Sequence, residues 1–266
     1  MKIHPSAIVH SKAQLAADVE VQAFTIIDEG VEIGAGTVVG PHCVLSGRTT
    51  IGRNNHIFSN AQVGVLPQDL KHVPGALGRT IIGDNNVIRE TVTISSGTVY
   101  SADDEETAAH KVTRIGNGCL LMACSHVAHD CRLGDGVILA NHVALAGHVT
   151  VQDKVIIGGL TGIHQFVVLG AMSFIGAMSR ISKDVLPFMI VEGHTPPKCF
   201  GPNRIGLERN GFDSDRIAHI KAIYKLLYRS DFNTRQALER IAQEIPASED
   251  RDRIVAFIQD SKRGVT

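Results

Sequence analysis

The sequence predicts a mainly β solenoid of very short strands, closed towards its C-terminal end by helices. Three features of the 266-residue chain lead there: aliphatics recur every six residues, 26 glycines punctuate them, and the rhythm stops near Lys183, where a proline-rich stretch gives way to a helical pattern. A period of six suits neither an amphipathic helix nor ordinary hairpins. It suits strands of two or three residues joined by tight corners, with one aliphatic per hexad turned inward and Gly, Asn or Asp at strained corner positions. Only 5% of residues are aromatic and none is Trp, so the core has to be stacked from small aliphatics.

Taken in order, the first run sets Ile3, Val9, Leu15, Val21, Ile27, Ile33, Val39, Leu45, Ile51, Ile57 and Val63 six apart. The beat returns at Ile82, Ile88 and Ile94, and a third run holds from Ile115 through Val127, Leu145 and Ile163 to Ile181. All 26 positions are Ile, Leu or Val, and ten precede a Gly, which leaves no room for accident. Leu66 to Thr80 (LPQDLKHVPGALGRT) and Ser96 to Arg114 (SGTVYSADDEETAAHKVTR) break the beat and are expected as ejected loops. Pro187, Pro196, Pro197 and Pro202 mark an irregular connector. Ile217, Ile220, Tyr224, Leu227 and Tyr228 then share a helical face after an Asp213/Ser214 cap. Two more helices are expected, from about Thr234 through Ile245 and from about Ser248 to Gln259. The expected division is residues 1–186 for the solenoid with loops 66–80 and 96–114, and 187–266 for connector and helical domain. A solenoid has open strand edges at its ends, so covering helices have a structural task in any case.

Composition narrows the function classes. Lys+Arg 26 against Asp+Glu 27 gives a net charge of -1, with no long basic run of the kind a nucleic-acid binder carries. No apolar run approaches a membrane span, and the Met1-Lys2-Ile3-His4-Pro5 start is no signal peptide. Five cysteines without a CxxC pair fit a reducing compartment, so a cytoplasmic protein is expected.

The hexads resemble those of the hexapeptide-repeat proteins. That resemblance implies a left-handed parallel β-helix, an exception to right-handed crossover, in which three hexads make an 18-residue coil. Residues 18 apart then stack about 4.8 Å apart, the interstrand spacing of a sheet. Val127, Leu145 and Ile163 fall on one corner of successive coils. His126 and His129 flank the first, His148 follows the second and His164 the third, so four imidazoles gather within roughly 10 Å of axial distance. His129 stacks over Gly147 and Gln165, and Asp130 over His148 and Phe166. Two chemistries fit. Neutral imidazoles can ligate zinc, as in a zinc-dependent hydratase. Alternatively, a His oriented by a carboxylate is a general base for acyl transfer, and a bare Gly admits substrate to a backbone N–H that can meet an oxyanion.

LLMACSHVAHDC, ILANHVALAGHV, IIGGLTGIHQF, the PQDLK loop and KAIYKLLYRS resemble the UDP-N-acetylglucosamine 3-O-acyltransferase family over essentially the whole chain. The resemblance implies transfer of a 3-hydroxyacyl chain from acyl carrier protein to the sugar 3-hydroxyl, the first step of lipid A biosynthesis, by a homotrimer without metal or cofactor. It assigns His129 as base, Asp130 as its orienting carboxylate and Gly147 as oxyanion donor. Asp69, Lys71, His126, His148, His164, Gln165, Asn203 and Arg209 match substrate-binding positions. Ile205 departs from the pattern, where relatives can carry Glu. Ala177 matches a ruler for acyl length at the far end of the groove, with Met178 and Met172 the next candidates. Acidic acyl carrier protein is expected on Arg204, Arg209, Arg216, Lys221 and Arg229. A CoA-dependent acetyltransferase on the same prism is disfavoured by the helical cap and the PQDLK loop.

Overall fold

Residues 1–101 and 111–266 are described by the computed structural model of the chain. Strands of mostly two residues are joined by corners into a three-sided parallel coil, whose sides are sheets of 11, 9 and 8 strands. Each strand pairs with the one a full coil on, as Ala144 with Gly162 and Leu145 with Ile163. The hexad aliphatics fill the centre: from Val21 to Ile181 none is more than 3% exposed. Ile3 remains 38% exposed because it belongs to the terminal coil, which has a neighbour on one side only.

Several small polar residues two before the aliphatic pack a corner and donate to the next coil. Thr25 Oγ1 donates to the Gly40 carbonyl at 2.6 Å and Cys131 Sγ to the Ala146 carbonyl at 3.1 Å. Burial pushes the Cys43 thiol up to about 11 and that of Cys131 to about 12, so these thiols fill space and stay protonated. The corner residue in the left-handed region is often not Gly, Asn or Asp: Leu160, Phe166 and Met178 sit there at φ 58°, 65° and 58°. A hydrogen bond from each residue's own N–H to the preceding coil, such as Leu160 to Asn141 at 3.0 Å and Met178 to Gly159 at 2.8 Å, offsets part of a conformational cost of about 1–2 kcal/mol.

Both expected loops are shorter than the broken rhythm suggests, because strands start inside them. Arg79–Ile82 and Val112–Ile115 pair with each other, and Arg79–Ile82 also pairs with Arg48–Ile51. Thr49, Thr80 and Thr113 thereby stack, all fully buried, so side-chain register extends two residues beyond the hexad aliphatic. The centre of the second expected loop, 102–110, lies outside the described residues.

The coil does not stop at Lys183. Met189–Glu192 adds a parallel strand beside Phe174–Ile175 and pairs antiparallel with Lys198–Pro202. Val185 and Val191 pack in the coil core, whereas Leu186, Phe188 and Met189 pack with the helices. Those helices are Arg204–Arg209, which the pattern missed, Ser214–Tyr228, Thr234–Glu244 and Glu249–Asp260. Asn233 and Gln236 form a full capping box, and Ser248 caps the last helix. Arg216 grips Asp250 through two bonds of 2.8 and 2.9 Å, tying the second of these helices to the fourth.

Candidate active site

The corner after Val127 carries the candidate cluster. Asp130 has φ 60°, and its N–H donates to Thr113 Oγ1 at 2.9 Å. That fixes the turn and aims its carboxylate back at the preceding residue. His129 Nδ1 lies 2.9 Å from Asp130 Oδ2. The carboxylate also accepts from the Thr98 hydroxyl at 2.8 Å and from the Thr98 N–H at 3.2 Å. Burial alone would raise the Asp130 carboxyl; hydrogen bonds from His129 and Thr98 hold it below the usual range instead. With an anion at Nδ1, the tautomer that suits the site carries its proton there and leaves Nε2 as a bare acceptor. No described residue hydrogen-bonds Nε2, and the imidazole is 14% exposed.

The stacking expected from the 18-residue arithmetic holds. The His148 N–H donates to the His129 carbonyl at 3.0 Å and the Phe166 N–H to the Gly147 carbonyl at 3.2 Å. The His148 ring stacks on Phe166 at 4.6 Å and 7° and meets His129 edge-on at 5.1 Å. Its Nε2 lies 3.7 Å from Asp130 Oδ2. Desolvation lowers the pKa of both His148 and His126. His126 Nδ1 lies 2.7 Å from the Thr93 hydroxyl. His164 and Gln165 are exposed on the next coil, the His164 ring turned to the Gln165 carbonyl at 3.2 Å.

Gly147 has a task that the sequence did not reveal. A Cβ there would sit 2.5 Å from His129 Cε1 and 2.6 Å from Nε2, so the empty space is occupied by the catalytic candidate's own ring. Its N–H donates to no described backbone acceptor.

From the first loop, Asp69 caps its own turn, accepting from the Lys71 N–H at 2.9 Å, and takes the Tyr100 hydroxyl at 3.1 Å. Those two bonds hold its carboxyl low, and His129 is close enough to contribute. Lys71 itself is exposed. Asn203 is 8% exposed and caps the Arg204–Arg209 helix, its Nδ2 donating to the Met172 carbonyl at 2.9 Å. Arg209 and Ile205 are exposed on that helix. Ala177 lies at a different corner, after the 11-stranded sheet, exposed and one coil beyond Gly159. Thr98, Tyr100 and Thr113 were missed by sequence reasoning. Thr113 was legible by aligning the segments RTTI, RTII and VTRI; Thr98 and Tyr100 follow an interruption of the rhythm and left no periodic signal.

His129, Asp130 and His148 present one ligand atom each within 4.8 Å of one another, so geometry alone leaves zinc and acid–base chemistry both open. Comparison with known proteins separates them. The family described as "Udp N-acetylglucosamine O-acyltransferase; Domain 2" matches residues 184–266, and the six-repeat bacterial transferase hexapeptide matches 113–147. An acyl-[acyl-carrier-protein]--UDP-N-acetylglucosamine O-acyltransferase of Syntrophobacter fumaroxidans is 43% identical over 265 residues, covering 100% of this chain and 99% of its own.

The chain belongs to the UDP-N-acetylglucosamine O-acyltransferase family.

An Anaeromyxobacter member with the same description is also 43% identical over the full length of both chains. The solved UDP-N-acetylglucosamine acyltransferase of Bacteroides fragilis superposes with a TM-score of 0.92 at 38% identity over 99% of each chain. That of Francisella novicida gives 0.90 at 35%, over 99% of this chain and 93% of its own. Like other members of the O-acyltransferase family, the chain is a left-handed parallel β-helix of hexapeptide repeats with a small C-terminal helical part.

Proposed function

We propose that the chain transfers a 3-hydroxyacyl group from acyl carrier protein to the 3-hydroxyl of UDP-N-acetylglucosamine, with His129 as general base. The observation that carries this reading is the His129 Nδ1–Asp130 Oδ2 contact of 2.9 Å, which leaves Nε2 open at the cluster's exposed edge. Nε2 takes the proton of the sugar hydroxyl as its oxygen attacks the thioester carbonyl. The tetrahedral oxyanion forms beside the Gly147 N–H, then collapses; the C–S bond breaks, and the imidazolium returns its proton to the leaving thiolate. Acid–base work of this kind contributes typically about 10²–10⁴-fold and an oxyanion donor about 10²–10³-fold, which suits an already activated thioester. No step needs a metal or a redox cofactor. Asp69, Lys71, His126, His148, His164 and Gln165 bind the sugar nucleotide in this reading, with Arg209 and Asn203 reaching its nucleotide end, Asn203 through the helix start it caps.

The assembly is a trimer in this reading, a neighbouring prism completing the cleft over the exposed His164, Gln165 and Phe166. The compartment is the cytoplasm and the reaction opens lipid A biosynthesis; no described helix is long and apolar enough to cross a membrane. The solenoid and the connector with helices, 1–186 and 187–266, act as scaffold and cap. Of the basic residues suited to docking acyl carrier protein, Arg204 pairs with Glu208, Arg216 with Asp250, and Arg229 donates to the Tyr224 hydroxyl. Arg209 and Lys221 make no ion pair among the described residues, and with Arg209 assigned to the nucleotide, Lys221 is the stronger candidate. The test is His129→Ala, followed by mass spectrometry of the acylated nucleotide: turnover falls by about 10²–10⁴-fold in a folded protein. Unchanged kcat sinks the reading.

A further inference from the structure

The two interruptions of the coil meet at the site. Thr98, fully buried, reaches Asp130 through both its hydroxyl and its N–H. The next residue, Val99, donates to His72 Nδ1 at 3.1 Å and accepts from the Val73 N–H at 2.8 Å. Tyr100 then donates to Asp69 Oδ2 at 3.1 Å, under the Lys111 ammonium, 4.0 Å from the ring centroid. Three consecutive residues thus run from the catalytic carboxylate to the PQDLK loop.

We propose that Thr98–Tyr100 is a positioning strap: Thr98 locks the Asp130 carboxylate onto His129 Nδ1, and Tyr100 holds the substrate loop in register with it. The proposal rests on His129 being the base. Its logic lies in the competition for one oxygen. Asp130 Oδ2 faces His129 Nδ1 at 2.9 Å but also His148 Nε2 at 3.7 Å. The Thr98 hydroxyl occupies Oδ2 and the Thr98 N–H pins Oδ1, so the carboxylate cannot rotate towards His148. Without the hydroxyl, one backbone donor on Oδ1 remains, and the carboxylate is free to turn to His148. His129 then loses the anion that fixes its tautomer. Thr98 touches no substrate and acts only through Asp130.

Thr98→Val keeps the side-chain shape and removes the donor. Expected is a fall in kcat between about tenfold and a hundredfold, the range for losing a hydrogen bond to a charged group, with the KM for UDP-N-acetylglucosamine within about twofold. Thr98→Ser restores kcat. Tyr100→Phe cuts the other end and raises the nucleotide KM severalfold, with kcat falling less than in Thr98→Val. A Thr98→Val enzyme with near-normal kcat, or a loss that Ser does not rescue, overturns the strap. If His129→Ala is inactive in the same assays while Thr98→Val behaves as wild type, the strap fails and the base stands; an active His129→Ala removes both.

Discussion

Replacing Gly147 by Ala adds one methyl group at a place the structure defines closely. The new Cβ would lie 2.5 Å from His129 Cε1, 2.6 Å from Nε2 and 3.2 Å from Nδ1. Carbon atoms in contact settle near 3.5–4.0 Å, so the imidazole has to retreat by about 1 Å. Retreat stretches or breaks the 2.9 Å contact with Asp130 and carries Nε2 away from the hydroxyl it should deprotonate. A misplacement of about 1 Å can cost about 10²-fold in rate, and kcat is expected to fall by that amount. The backbone at Gly147 is outside the left-handed region, and the nearest atoms to the added methyl all belong to one side chain. Loss of the His129–Asp130 bond leaves the buried Asp130 carboxylate one donor short, at a cost of about 1–3 kcal/mol. That outweighs the gain of up to about 1 kcal/mol from the reduced entropy of the unfolded chain, so Tm should fall modestly. The assay is product formation from acyl-ACP and UDP-N-acetylglucosamine, with calorimetry for Tm. The double mutant with His129→Ala supplies the decisive control: because the methyl acts through the ring, adding it to the His129→Ala background should cost almost nothing further. Wild-type turnover in a folded Gly147→Ala protein, or full additivity in the double mutant, refutes the argument.

Ala177→Gly, which removes a methyl from the expected far end of the acyl groove, should move the preferred chain length upward across a graded acyl-ACP series. A pocket separates chains one methylene apart by about 1–3 kcal/mol, and an unmoved optimum points to Met178 or Met172 instead. Desolvation holds His126 below its usual pKa, so the unfolded chain takes up a proton first as pH falls below about 6.5. That part of the stability is complete above the ordinary histidine range and is lost on acidification; Tm should decline less steeply from pH 7 to 5 in His126→Gln, and an identical slope counts against a half-buried neutral imidazole. Dialysis against a chelator should leave kcat unchanged, whereas activity lost and then restored by zinc would revive the metal reading of His129, Asp130 and His148.

The sequence by itself determined the coil, because each hexad encodes its own corner and its own inward aliphatic, and repetition turns a local rule into a global one. It also determined that His129, Gly147 and Gln165 form one column and Asp130, His148 and Phe166 another, since stacking in a solenoid is arithmetic. Tertiary structure alone decided whatever the rhythm does not carry. The chain leaves and re-enters the coil at residues chosen by threonine stacking, not by the hexad beat, so the expected loops ran too long. Thr98 reaches Asp130 across 32 residues, a separation set by an insertion rather than by a multiple of 18. Gly147 looked like space for a substrate; only the side-chain direction of His129, turned across the corner by Asp130, shows that the ring fills it. Asn203 matched a substrate-binding position, and only the structure shows its amide capping a helix start that the pattern had not announced. Periodicity fixes where a backbone goes, while the rotation of a side chain about its own bonds depends on neighbours brought in from elsewhere in the chain.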